Sequence, residues 1–162
     1  KPRIMPLKET ITEEMKFFIG LKTDPKSYIV EKNAIEHFAS AIGDDNQIYF
    51  NEIFAKKNVG GIITPPTFIR LFKPNKLNKK FPDPFSNLVD GGSSYVFHED
   101  IFVGDEITVV SQLKDLFIKS GKMGEMMFKI FFTTYTNQNE ILVAEQEITT
   151  IYYGKGEKTF LS

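Results

Sequence analysis

Cysteine and tryptophan are both absent from the 162 residues, and histidine occurs only at His37 and His98. The lack of cysteine excludes disulfides, thiol nucleophiles and thiolate-bound metal, and two histidines so far apart argue against a zinc site, so no metal is expected. An excess of either charge is lacking too. The 20 Lys and Arg stand against 21 Asp and Glu, a net charge of -1. Nucleic acid is therefore set aside as a partner, because phosphate neutralisation needs a basic surplus. No apolar run approaches the roughly 20 residues that cross a bilayer, and Lys1-Pro2-Arg3-Ile4-Met5-Pro6 has no apolar core of a signal peptide. A cytoplasmic protein without membrane contact is expected. The first residue is Lys1, not a methionine, which reads as a trimmed chain or a piece of a longer one that could have held a second domain.

What the chain has in quantity is phenylalanine, 16 residues of it. These rings either pack a core or line an apolar tunnel, and composition alone does not separate the two. With 41% hydrophobic and 25% charged residues, residues 1–162 fit one domain able to bury a core.

Along the chain, Thr12 to Ile19 reads as a short helix, with Thr12 as cap, Glu13 and Glu14 in the first turn and Gly20 as its stop. Ser27 to Val30 is a short strand. Glu31 to Ile42 places Ala34, Ile35, Phe38, Ala39 and Ile42 at helical spacing, closed by Gly43, with His37 on the opposite, exposed side. Asp44 to Gln47 is turn chemistry, Ile48 to Lys57 another brief helix, and Gly60-Gly61 a break. Thr64 can cap a helix that has Pro65 at its first position and ends before Pro74. Lys73 to Ser86 is an aperiodic surface loop. Ser93 to Asp100, Glu106 to Lys119, Met123 to Thr136 and Ile141 to Tyr153 read as successive antiparallel strands, two of them long enough to require curvature and bulges. The expected class is α+β: a curved antiparallel sheet wrapped around a central helix, the one beginning at Pro65, with extra helices before it.

Gly43-Asp44-Asp45-Asn46-Gln47-Ile48-Tyr49 resembles the signature Gly-Asp-x-Asn-Pro-(Leu/Ile)-His of the R-specific enoyl-CoA hydratases and MaoC-like dehydratases. Gly43, Asp44, Asn46 and Ile48 match, Gln47 replaces proline, and Tyr49 stands where the histidine belongs. Ile63-Thr64-Pro65-Pro66-Thr67-Phe68 resembles the start of the central helix in the family's non-catalytic branch. Asp90-Gly91-Gly92 with Phe97-His98 resembles its Gly-Gly strand start, Val103-Gly104-Asp105-Glu106 its Pro-Gly-Asp turn, and Tyr135-Thr136-Asn137-Gln138 with Leu142-Val143-Ala144 its last hairpin. The set runs in order over 27–153, leaving 1–26 as an N-terminal extension with the short helix. The nearest branch is the FAS1-like dehydratase domain, which in relatives is fused to or paired with a catalytic MaoC domain.

The resemblance implies a hot-dog fold and work on a 3-hydroxyacyl or 2-enoyl thioester, carried on CoA or acyl carrier protein without another cofactor. In catalytic relatives the signature's aspartate and histidine share the proton transfers, and a backbone N–H at the head of the central helix stabilises the thioester oxygen. Here Asp44 is the catalytic candidate, with Tyr49 at the histidine position, and a phenol of pKa about 10 is a poor base near neutrality. Asn46, Pro65, Pro66, Thr67, Phe68, Gly91 and Gly92 are the substrate-binding candidates. If Pro65-Pro66 align with the relatives' His-Gly pair, both oxyanion donors are missing as well.

Each candidate has a plainer reading. Asp44 and Asn46 could cap the turn, His98 could be a sheet-surface histidine, and Gly91-Gly92 a bulge or a close backbone approach. The Lys73 to Lys80 loop could be merely solvated, or could attract the phosphates of CoA or an acidic carrier. The expected function is the acyl-binding subunit of a dehydratase or hydratase, paired with a MaoC-like catalytic subunit or domain, or with itself as a homodimer. The alternatives are an autonomous hydratase using Asp44 with Tyr49 or His98, and an acyl-CoA-binding module without turnover. A hot-dog thioesterase is more distant.

Overall fold

The computed structural model describes residues 11–122 and 124–155. The opening Lys1 to Pro6, Met123 as the first residue of a strand, and the ends of the 1–162 domain lie outside the described residues. Three α-helices come first or between strands: α1 (Glu13–Lys16), α2 (Lys32–Ala41) and α3 (Glu52–Val59). Five strands follow the same chain order: β1 (Lys26–Ile29), β2 (Phe85–Phe97), β3 (Glu106–Gly121), β4 (Gly124–Thr136) and β5 (Leu142–Lys155). They form one antiparallel sheet in the order β1-β3-β4-β5-β2.

The expected α+β class holds, and the long strands are bulged as their length requires. Pairing shifts between Leu113 and Asp115 on β3, between Asp90 and Gly92 on β2, and between Leu142 and Ala144 on β5, opposite Thr136 and Tyr135. Each extra residue bends its strand, and the sheet curls. The concave face carries two apolar clusters. One gathers Ile35 and Ala39 of α2, Tyr49, Ala55 of α3, Phe68, Ile69 and Phe72 against Ile107, Val109, Tyr135 and Val143. The other sits toward the opposite end of β3 and β4, where Met15 and Phe18 meet Leu113, Leu116 and Met127, with Leu77 and Phe81 packed on them. Each such side chain contributes about 1.5–3 kcal/mol when taken from water.

Several expected elements change on folding. The helix over Thr12 to Ile19 shrinks to four residues, although Thr12 Oγ1 does accept the amide of Met15 at 3.2 Å. The helix over Ile48 to Lys57 is two pieces, a 3₁₀ turn at Gln47–Tyr49 and α3, because Asn51 starts afresh by accepting the amide of Phe54 at 3.0 Å. The expected short helix before Pro74 is present, in 3₁₀ form. Pro65 is extended and the segment behind it, Pro66–Leu71, is six residues of 3₁₀ helix. Short helical pieces of this length commonly take the tighter i→i+3 form, here with the Phe68 amide donating to the Pro65 carbonyl and the Phe72 amide to the Ile69 carbonyl. Buried Phe68, Ile69 and Phe72 anchor this short piece, and residues 73–84, which form neither helix nor strand, run on across the concave face. The first strand after the loop, expected from Ser93 to Asp100, spans Phe85–Phe97. Pairing with β5 carries through Asn87 to Gly92, with the register shift between Asp90 and Gly92 that the bulge reading of Gly91-Gly92 anticipates.

Candidate functional site

The signature turn follows directly from the end of α2. The Asp44 amide donates to the Ala39 carbonyl at 2.9 Å, while Gly43 adopts a left-handed φ of 72° that lets the chain leave the helix. Asp44 Oδ1 then accepts the Asn46 amide at 3.1 Å, and Asn46 Oδ1 accepts the Ile48 amide at 3.1 Å. These are two consecutive Asx turns, so both side chains have the capping role of the plainer reading. Tyr49, one turn further, is buried in the cluster with Phe68. Burial first, and the charge of Asp44 second, push its phenol above the usual value of 10.0. That is the wrong direction for a base: the hydroxyl at the histidine position holds its proton more tightly than a free tyrosine.

The other signature segment is brought against the first. Phe38 of α2 meets Phe68 edge to face at 5.5 Å, which seats Pro65, Pro66, Thr67 and Phe68 beside the same core. Pro65 is fully buried, Thr67 exposed. Gly91 and Gly92 stand apart on β2, linked to this segment through the ion pair of Arg70 with Asp90 at 3.8 Å. Gly92 takes φ 116° at the bulge, its amide donating to Asp90 Oδ1 at 2.8 Å. His98 Nε2 pairs with Glu145 Oε2 at 2.9 Å across the β2–β5 strands, and His37 is exposed on α2.

Beneath residues 73–84 the concave face holds two cavities that no sequence motif announced. The larger, about 420 Å³, has apolar walls from Phe18, Leu21, Leu77, Phe81, Leu113 and Phe131, with Lys76 and Lys79 also lining it. In its wall lies Lys129 of β4, its side chain only 5% exposed. The ammonium is bonded to Asp83 and sits 3.7 Å from the ring centre of Phe81 and 3.8 Å from that of Tyr152. Burial lowers its pKa from the usual 10.5, with Asp83 pulling the other way. The smaller cavity, about 210 Å³, is lined by Arg70, Lys73, Thr133, Tyr135, Gln146 and Thr150 among others, and shares Pro74, Ser111 and Phe131 with the larger. None of Asp44, Asn46, Tyr49, Pro65, Pro66, Thr67, Phe68, Gly91 and Gly92 lines either cavity, whereas Lys73, Lys76 and Lys79 of the Lys73 to Lys80 loop do. One signal in the sequence did point there: Lys129 occupies a core-facing position in the two-residue alternation of Met127, Lys129, Phe131 and Thr133.

Comparison with known proteins follows this geometry closely. The family model for the FAS1-like, dehydratase domain region matches residues 17–146. The UPF0336 protein of Parafrankia sp. (strain EAN1pec) is 30% identical over 141 residues, covering 82% of each chain. Among solved structures, a chain of the ChsH1-ChsH2 complex from Mycobacterium tuberculosis superposes with a TM-score of 0.75 at 20% identity, covering 89% of this chain and 96% of that one. A chain of the C-terminally truncated HadBC (3R-hydroxyacyl-ACP dehydratase) complex from the same organism gives 0.65 at 19% identity, covering 83% and 96%. The shared architecture is the hot-dog fold of the MaoC-like dehydratases.

Proposed function

This chain belongs to the family of the FAS1-like dehydratase domain region, and from that footing we propose that it is the acyl-binding, non-catalytic subunit of a hot-dog hydro-lyase. The reaction is the reversible hydration of a 2-enoyl thioester to the (R)-3-hydroxyacyl thioester, with the acyl group carried on CoA or acyl carrier protein and no other cofactor. A MaoC-like partner subunit or domain supplies the aspartate and histidine, and a homodimer forms where that partner is absent. Two of the similar structures are complexes of such chains, one of them named a 3R-hydroxyacyl-ACP dehydratase.

The observation that carries the reading is the state of Tyr49. Hydration needs a base for water, a proton relay to the α-carbon and donors to the thioester oxygen. At the position of the base this chain has a buried phenol shifted away from ionisation. Its neighbour Asp44 caps the turn, and the segment where the oxygen would be held begins with two residues that have no N–H. His98 is engaged by Glu145. The concave-face cavities remain as room for an acyl chain, with Lys73, Lys76 and Lys79 placed to meet a carrier's phosphates.

The test is hydration of crotonyl-CoA, followed by loss of the enoyl-thioester absorbance. The chain alone is expected to give no turnover above background, with Asp44→Asn indistinguishable from the parent, and activity is expected only with a histidine-bearing partner present. Turnover by the chain alone that disappears in Asp44→Asn would overturn the proposal in favour of an autonomous hydratase.

A further inference from the structure

An alkyl chain is best held by hydrocarbon, yet the floor of the smaller cavity is polar. Ser111, Thr133, Gln146 and Tyr95 stand opposite one another on β3, β4, β5 and β2, so one polar row crosses the sheet. Three of the four are almost fully buried, Ser111 at 6%, Thr133 at 3% and Gln146 at 4% exposure. Thr133 Oγ1 donates to Ser111 Oγ at 2.9 Å, Tyr135 Oη to Gln146 Oε1 at 2.7 Å, and Gln146 Nε2 to Tyr95 Oη at 2.8 Å. Burying such groups costs free energy unless they are hydrogen-bonded, and this row meets that condition within itself, so what it can offer a ligand in the cavity is the bonding capacity it leaves unused.

The unused capacity says what that ligand offers. Among the described residues, no acceptor takes the second N–H of Gln146. Arg70 and Lys73 line the same cavity, and the ammonium of Lys129 lies in the wall of the adjoining one. Arg70 is paired with Asp90 and Lys129 with Asp83, so the N–H of Gln146 is the donor to which an acceptor oxygen fits. The thioester carbonyl does not supply it if the acyl group is placed as proposed above. The signature turn and Pro65 belong to the head of the Pro66–Leu71 segment, while the cavity opens past its other end, at Arg70 to Pro74.

Resting on the acyl-binding reading, we propose that this chain binds acyl groups carrying a second oxygen acceptor, a ketone or a carboxylate, remote from the thioester, and that Gln146 reads that oxygen. Calorimetric titration of the wild-type chain with dodecanoyl-CoA, a chain-matched oxododecanoyl-CoA and dodecanedioyl-CoA separates the ketone from the carboxylate. At least one oxygenated ligand is expected to bind about fivefold or more tighter than dodecanoyl-CoA, as one added hydrogen bond allows. Gln146→Met, which keeps volume and loses the donor, is expected to abolish that preference, bringing the affinities for the three ligands within about twofold of one another. Equal or tighter binding of dodecanoyl-CoA by the wild type overturns the proposal and leaves the acyl-binding reading intact. A preference that survives Gln146→Met, or an equal loss of all three ligands in that variant, also overturns it, the latter by assigning the row to the carrier arm. No binding of any of the three removes the acyl-binding reading itself and this inference with it. Should Gln146→Met fail to fold, Gln146→Glu keeps the acceptor for Tyr135, and the wild-type ranking decides on its own.

Discussion

Tyr49 and Lys129 are both titratable side chains whose protonation is governed first by burial. The same holds for Tyr135 and Tyr152, whose phenols are also raised above 10.0, chiefly by desolvation. The consequence for stability has a definite sign. Between about pH 10 and their raised folded values the native chain binds more protons at these tyrosines than the unfolded chain does, so stability falls with pH there. Lys129 acts oppositely, since its lowered pKa makes the unfolded chain bind the extra proton below 10.5. Three phenols outweigh one ammonium, and denaturant unfolding is expected to show stability dropping above about pH 10. Tyr49→Phe should make that drop shallower; an unchanged slope would mean the Tyr49 phenol titrates alike in the folded and unfolded chains. The pair of Lys129 with Asp83 gives a second prediction. Lys129→Met strands a largely buried carboxylate and should cost about 2–4 kcal/mol, whereas Lys129→Met with Asp83→Asn should recover most of it. Additive losses in that double-mutant cycle would show that the two side chains are not coupled.

At the level of elements, the sheet was the most legible part of the chain. Its strands alternate β-branched and aromatic residues between Gly104-Asp105, Gly121-Lys122 and the Asn137 to Asn139 turn, and those signals are local. The Pro66–Leu71 segment was less so, because apolar spacing marks which residues are buried without fixing whether the turn is α or 3₁₀. The strand signals start β2 too late, at Ser93 instead of Phe85, although the Gly91-Gly92 pair was legible as a close backbone approach or a bulge. A Cβ on Gly91 would lie 2.9 Å from Thr149 Cγ2, 3.0 Å from Ile151 Cγ1 and 3.0 Å from the Thr149 carbonyl oxygen. Gly91→Ala is therefore expected to destabilise by about 1–3 kcal/mol through overpacking. At Gly92 a Cβ would meet nothing within 4 Å, and the cost there comes from its φ of 116°. A thermal melt of Gly91→Ala unchanged from the parent would mean that β5 yields at this point. As for the site, the motif residues are legible, while the cavities are assembled from residues 18–23, residues 70–81 and three strands and have no linear signature beyond Lys129 and the lysines of the Lys73 to Lys80 loop.

For the molecule as a whole, the unfinished feature is the edge formed by β2. Among the described residues it pairs only with β5, and it is 13 residues long and leaves Leu88 62%, Val89 48%, Val96 52% and Phe97 45% exposed. A long, apolar, unpaired edge is a template for another strand, and it lies on the same strand as Gly91 and Gly92. The proposed pairing, with a MaoC-like subunit or with a second copy, would place that partner's β-strand here and continue the sheet. Lysine is among the residues that block such pairing most effectively. In sedimentation experiments the wild-type chain alone is expected to behave as a dimer and to exchange into a heteromer when the catalytic partner is added. Leu88→Lys with Val96→Lys should yield a monomer in both settings. Because both positions face solvent in the isolated chain, the variant's circular dichroism and melting temperature should stay near those of a folded protomer. A wild-type chain that remains monomeric with and without the partner, or a lysine variant that still associates, would place the subunit contact elsewhere on the molecule.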